Sequence, residues 1–249
     1  MTPSPTNPTP RTGRGSPPRR GSIAHLLREK WAEYLVEILV IIFSISASFA
    51  LDEWKDNRSK RELEQAYLNG LSTDLKTDST HLIEVITETE VIVGKARELV
   101  KEGRSLQSAE FLNDVRYIFN RPRFVAEDAT FSDLKSSGNF QVLRDFALKN
   151  ALFGYYREYV STEMVEAAEH DATTGLVAPF MVKRLPLVTN RAASHGLSQP
   201  QVEALLNDME FQNHVFVRQA TREELLRDYR KLLKINAQIR MILKQESRR

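Results

Sequence analysis

The sequence predicts an all-α fold with an apolar N-terminal helix, and three observations carry that prediction. Six of the ten prolines fall within the first 18 residues, and none occurs in 19–121, 123–178 or 201–249. An interior proline costs a helix about 3 kcal/mol, so those windows, rich in Glu, Leu, Lys, Arg and Ala, read as helices. Residues 34–51 (YLVEILVIIFSISASFAL) carry one charge, Glu37. Finally, no period-two run bounded by hairpin residues interrupts the helical spacing. The expected organisation is a basic Pro-rich tail over 1–22, a juxtamembrane and transmembrane helix over 23–54, and a helical extramembrane domain over 55–249.

At 249 residues and 41% hydrophobic content the chain is large enough to bury a core without covalent staples. It has no cysteine, which excludes disulfides, thiolate metal sites and a Cys nucleophile. Its 35 basic and 33 acidic residues are too evenly matched for a general nucleic-acid binder, and no nucleic-acid partner is expected. The imbalance is local. Residues 1–33 hold six basic side chains against Glu29 and Glu33, and the Pro, Ser, Thr and Gly among them leave too little apolar surface to offset ordering entropy.

The apolar run is bracketed by Trp31 and Trp54, whose 23-residue separation corresponds to about 35 Å of helix, a hydrocarbon core with its interfaces. A lipid bilayer is therefore the first expected partner. A buried helix of a soluble core rarely has both ends marked by Trp and charge. A cleaved signal peptide is the other competitor, since Ser48-Phe49-Ala50 offers small residues at a cleavage site. Against it stand the long basic leader, Glu37 within the run, and helical sequence continuing past the cut. Proline density in the leader also argues against the amphipathic helix of a mitochondrial transit peptide. Six Lys/Arg precede the span and Lys55, Arg58, Lys60 and Arg61 follow it. The balance favours a cytoplasmic N-terminus and an extracytoplasmic C-terminal domain.

Ser44 with Ser48, and Ser46 with Ala50, form small-xxx-small pairs that would let a second membrane helix approach closely. Glu37 either snorkels to the interface near Trp31 or, buried between helices, bonds to a partner.

The run from Glu37 to Arg58, ending Leu51-Asp-Glu-Trp-Lys-Asp-Asn-Arg, is followed by Glu62 to Asp78 (ELEQAYLNGLSTDLKTD). Together with Phe131-Ser-Asp-Leu-Lys-Ser-Ser-Gly-Asn-Phe and Leu152-Phe-Gly-Tyr-Tyr, it resembles an uncharacterised family of small bacterial inner-membrane proteins. The resemblance covers about residues 34–160 and implies a bacterial, single-span protein. It supplies no activity.

The first helix is expected to run on to Val100, with a stripe at Leu63, Tyr67, Leu71, Leu75, Leu82, Val85, Ile86, Val93 and Ala96. A second is expected from Ser108 to Phe119, closed by Arg121-Pro122. Thr130-Phe-Ser-Asp133 reads as a capping box for a short helix that Gly138 ends in a left-handed conformation. Asp145 caps a helix reaching about Thr173, and residues 175–200, with three prolines, read as an irregular crossing. Ser198-Gln-Pro-Gln201 caps the last helical region. There, Leu225, Tyr229, Leu232, Asn236, Ile239 and Leu243 make a heptad seam with a register-setting Asn. The sequence leaves open whether that seam packs within the chain or against another copy, and the latter is taken as the oligomer seam. Residues 62–98 carry a net charge of −5 and 227–249 a net charge of +6, which predicts that the first and last helices are antiparallel neighbours.

No Walker loop, Rossmann fingerprint, nucleophile elbow or HExxH motif is present, and no enzymatic activity or cofactor is expected. Asp78-x-x-His81, Glu166-x-x-x-His170 and Glu210-x-x-x-His214 have helical metal-ligand spacing, but solvated surface pairs explain them more simply, so no metal is expected. A possible pocket lies between the Lys135-Ser136-Ser137-Gly138-Asn139 turn and Tyr155, Tyr156 and Tyr159; its competitor is a helix cap over packed aromatics. The expected role is association, as a homo-oligomeric scaffold or an accessory subunit of a membrane complex. The alternative is an extracytoplasmic ligand-binding sensor, against which stands a tail too short for a cytoplasmic output domain.

Overall fold

A computed structural model describes residues 23–101, 106–185 and 196–246. The basic tail over 1–22, Gly103 and Pro186 lie outside them. The fold is all-α: 87% of the described residues are helical and none of them is in a strand. It divides into two units, Met1–Arg58 and Ser59–Arg249.

The described part of the first unit is the start of α1 (Ile23–Leu99). This helix contains the one segment among the described residues long and apolar enough to cross a membrane, and none of that segment is buried. Trp31 and Trp54 are exposed, as are the side chains from Tyr34 to Leu51 except Ala47, which is half-buried. The Arg58 guanidinium lies over the Trp54 ring, 5.8 Å from its centre.

The second unit is built on three long helices: α1 from Ser59 onward, α4 (Phe146–Ala172) and α7 (Met209–Glu246). α1 and α4 run parallel, joined by Arg144 to Glu64 (3.2 Å) and Tyr155 to Asp78 (2.8 Å). α7 runs antiparallel to both. Asn236 donates to the Leu75 carbonyl at 2.8 Å, and further along α7 Arg230 meets Glu90 and Glu223 meets Arg97. The apolar core consists of two clusters. One joins α1, α4 and α7 around Leu71, Leu75, Leu152, Tyr155, Leu232 and Ile239. The other packs the end of α1 and the start of α7 against α2 (Ser108–Ile118), α5 (Ala178–Arg184) and α6 (Gln199–Leu206). Each fully buried Leu or Ile contributes about 1.5–3 kcal/mol, so these stripes rather than surface charge hold the bundle together.

Local signals explain most boundaries. Asp145 accepts from the Leu148 amide at 2.8 Å, the N-cap bond expected for α4. The Ser198/Gln201 capping box opens α6, with Pro200 in the first turn where its missing N–H costs nothing. Gly138, at φ 74°, supplies the left-handed turn after α3 (Ala129–Ser136) and before a 3₁₀ turn over Asn139–Gln141. The α3 cap needs correction. Its N-cap is Asp128, which receives the Ser132 hydroxyl at 2.9 Å, rather than Thr130. Thr130 instead packs on Gly70, where a Cβ would stand 2.8 Å from the Thr130 hydroxyl oxygen.

Of the crossing expected over 175–200, the described residues 175–185 and 196–200 are more regular than their prolines suggest. A π-helical turn, Thr173–Val177, follows α4, and α5 follows with Pro179 in its first turn. Proline breaks a helix interior but fits a helix start. Between α6 and α7, Asp208 accepts from the amides of Glu210 and Phe211 and begins a new helix.

The oligomer seam is also corrected. Leu225, Tyr229, Leu232, Asn236, Ile239 and Leu243 are all buried within the chain's own bundle. Heptad spacing specifies a covered stripe and not whose helix covers it. The expected antiparallel adjacency of α1 and α7 is present, but the charge pairing is mixed. Arg230 meets Glu90 with the expected polarity, Arg97 meets Glu223 with the reverse, and Lys231 turns to Glu158 of α4 at 2.7 Å.

Candidate functional site

The segment joining α2 to α3, residues 119–128, has no regular secondary structure, yet it lies across all three long helices. Backbone polar groups in such a position need partners. Ionisable side chains supply many of them. From α7, Arg218 donates to the carbonyls of Ile118 (2.7 Å) and Asn120, and Arg222 donates to that of Pro122 (2.8 Å). From α4, Glu166 accepts from the Phe124 amide at 3.0 Å, and the Tyr156 hydroxyl donates to the Glu127 carbonyl at 2.9 Å. From α1, Asp78 accepts from the Glu127 amide at 2.7 Å and Asp74 from the Thr130 amide at 3.1 Å.

The clamp is itself paired. Glu169 sits between the two guanidiniums, in contact with Arg218 and at 2.6 Å and 2.8 Å from Arg222. All three side chains are buried. Burial pushes Arg218 down to about 9 and Arg222 to about 10, so both stay cationic at neutral pH. Glu166 also accepts the Tyr229 hydroxyl at 2.5 Å. Burial, first, and then the neighbouring carboxylate raise Tyr229 and Tyr155 well above the ordinary phenol range, which keeps both as neutral donors. Asp78 is pushed up to about 6, because burial outweighs its hydrogen bonds from the Glu127 amide and Tyr155.

Above the clamp is a cleft of about 250 Å³, lined mainly by Arg121, Arg123, Glu163, Glu166, Glu169 and Arg222, with His170 at its edge. Its lining includes no hydroxyl or thiol. The groups present can bind and hold charge, and they offer no nucleophile next to a base.

The candidate pocket at the α3 turn is corrected to a cap over aromatics. Lys135, Ser136 and Ser137 are exposed, and Ser137 folds back to the Asp133 carbonyl at 2.7 Å. Asn139 donates to the Tyr67 hydroxyl, which donates to Asp133. The rings of Tyr155 and Tyr156 lie in the core at 5.2 Å, with their hydroxyls engaged by Asp78 and Glu127, while Tyr159 packs edge-on against Phe124. Asp78 and His81 face apart, one buried and the other exposed. Within the apolar part of α1, Ser44 donates to the Val40 carbonyl at 2.7 Å, and Ser44, Ser46, Ser48 and Ala50 are all exposed.

A signal for the clamp was present in the sequence. The four-and-three spacing extends upstream from Leu225 through Arg222, Arg218, Val215 and Phe211, all of them buried. Two arginines on a core seam require a buried carboxylate, and Glu166 and Glu169 stand one turn apart on α4.

No family model matches the chain, and neither a curated protein nor a solved structure does.

Proposed function

We propose that the chain is a single-span protein of the bacterial inner membrane that works by association rather than catalysis, as a homo-oligomeric scaffold or an accessory subunit of a membrane complex. In this reading the N-terminus is cytoplasmic and the 59–249 bundle periplasmic. The observation that carries it is the uncovered apolar length of α1 between Trp31 and Trp54. An eighteen-residue stretch with one charge left in water would be a large liability, and a bilayer removes it. The motifs over 34–160 that resemble the inner-membrane family support the same placement, as do the basic flanks.

The heptad seam is occupied within the bundle, so association passes to the membrane helix and its small-residue pairs, Ser44 with Ser48 on one face and Ser46 with Ala50 on the opposite one. The chain should stay with membranes after carbonate washing with its N-terminus uncleaved. Soluble protein beginning at Leu51 would overturn the anchor. Since the chain has no native cysteine, Leu51→Cys, one turn from Ser48 on the face it shares with Ser44, gives a single oxidative crosslinking site. Crosslinked dimer or a crosslinked partner, lost on adding Ser44→Leu and Ser48→Leu but kept with Asn236→Leu, is the expected pattern. Crosslinking indifferent to the serine changes would remove the membrane helix as the contact. A cysteine at Ser16 should resist an impermeant thiol reagent in intact cells while one at Ser161 reacts; the opposite result reverses the orientation.

A further inference from the structure

We propose that the groove between α2 and α5 binds a free long-chain carboxylate, an amphiphile with one acidic head and an apolar tail. The groove has a volume of about 410 Å³, within the range of small-molecule sites. One wall is Val115 of α2 and Phe119 just beyond its end; the other is Ala178, Met181 and Val182 of α5; the π-helical turn between α4 and α5 closes it with Thr173 and Val177. Val182 leaves 69% of its surface exposed there, although Val115, Val177 and Met181 beside it belong to the core. π-turns break the regular helical ladder and recur at binding sites.

The charge pattern selects the occupant. Arg116 and Arg121 are the charged residues lining the groove; both are exposed, and neither has an ion-pair partner among the described residues. Other exposed cations of the bundle are of both kinds: Arg97, Arg144, Arg230 and Lys231 each face a carboxylate, and Lys234 does not. Arg121 also stands near the buried guanidiniums of Arg218 and Arg222 and repels both. An apolar trough lined by two exposed guanidiniums and no carboxylate favours an anionic head and an alkyl tail over a neutral or cationic one.

A free carboxylate is preferred to a bilayer phospholipid because of position. α2 is tied to α1 through the Lys95–Asp114 ion pair, about 50 Å along the helix from Ser59 where the second unit begins. That choice of source rests on the membrane reading above, whereas the chemistry of the groove does not.

The test uses the full chain in phosphatidylcholine nanodiscs, with dodecanoate carrying a terminal dansyl group as probe and empty nanodiscs as blank. Saturable binding is expected, displaced by unlabelled dodecanoate and not by dodecanol or dodecyltrimethylammonium. Arg116→Ala with Arg121→Ala, at exposed positions, should weaken it at least tenfold with unchanged helicity; Ala178→Trp should abolish it. No saturable signal above the blank, equal displacement by dodecanol, or full affinity in the double arginine variant would each overturn the site. Displacement by an acidic phospholipid but not by dodecanoate would overturn the free carboxylate, and a dimer that Ala178→Trp dissociates would make the groove a contact between copies instead. A chain that fails to enter nanodiscs counts against the anchor, and the same titration in detergent-free buffer then still decides the groove.

Discussion

Tyr155 donates its hydroxyl proton to Asp78 at 2.8 Å across 77 positions of sequence, and both side chains are completely buried. The same carboxylate receives the Glu127 amide, so one titratable group joins α1, α4 and the segment that crosses them. Removing it from water pushes its carboxyl from 3.8 to about 6. Between those values the folded chain holds a proton that the unfolded chain releases. The contribution is therefore fully present below pH about 4 and is lost as pH rises through about 6, at no more than about 1.4 kcal/mol per pH unit for one proton.

Asp78→Asn should remove that slope while keeping an acceptor for the Glu127 amide. Melting temperature measured from pH 3.5 to 7 should then fall less steeply with pH in the variant, with the larger relative gain at pH 7. Parallel profiles for the two proteins would mean that Asp78 is not protonated in this range.

Glu169 is the sole carboxylate in contact with both Arg218 and Arg222 among the described residues. Glu169→Gln would leave two buried guanidiniums without a carboxylate in contact, and breaking a buried pair this way costs about 3–5 kcal/mol. Denaturant unfolding should show that loss. The comparison is Arg97→Ala, which breaks the exposed pair with Glu223 and should cost less than about 1 kcal/mol. Similar losses for the two variants would deny the clamp its role.

What could be read from the sequence depended on whether a residue's signal was local. Asp145, Gly138 and the Ser198/Gln201 box act within one turn of themselves, and each was found where its chemistry placed it. One local signal, the Thr130 capping box, fell two residues late, since Asp128 caps α3; the other signals that failed depend on the surroundings. Pro179 reads as a breaker until the helix is known to start beside it. Tyr155 and Tyr156 suit a pocket wall or a core equally well, and only the positions of Asp78 and Glu127 decide. Arg218 and Arg222 escaped notice because charge masks the apolar period, although their spacing continues the seam from Leu225 without interruption. The seam's destination was undecidable, since a stripe covered by α1 and α4 has the same period as one covered by a second copy.

Lys231 provides the sharpest test of how charge distributes over the bundle. The regional balance of acidic α1 and basic α7 suggests that reversing Lys231 would weaken the α1 contact, but its ammonium lies 2.7 Å from Glu158 of α4. Lys234, three residues on, is exposed and pairs with no carboxylate among the described residues. Lys231→Glu should therefore lower the melting temperature at low ionic strength, by the equivalent of about 1 kcal/mol or less, and Lys234→Glu should do almost nothing. Near 1 M salt, where the Debye length is about 3 Å, most of the Lys231 effect should vanish. Adding Glu158→Lys to Lys231→Glu restores an opposite-charge pair between the same two helices and should recover most of the loss. If the double variant is no more stable than Lys231→Glu alone, α4 is not the partner of this face, and the acidic side of α1 is restored as the candidate.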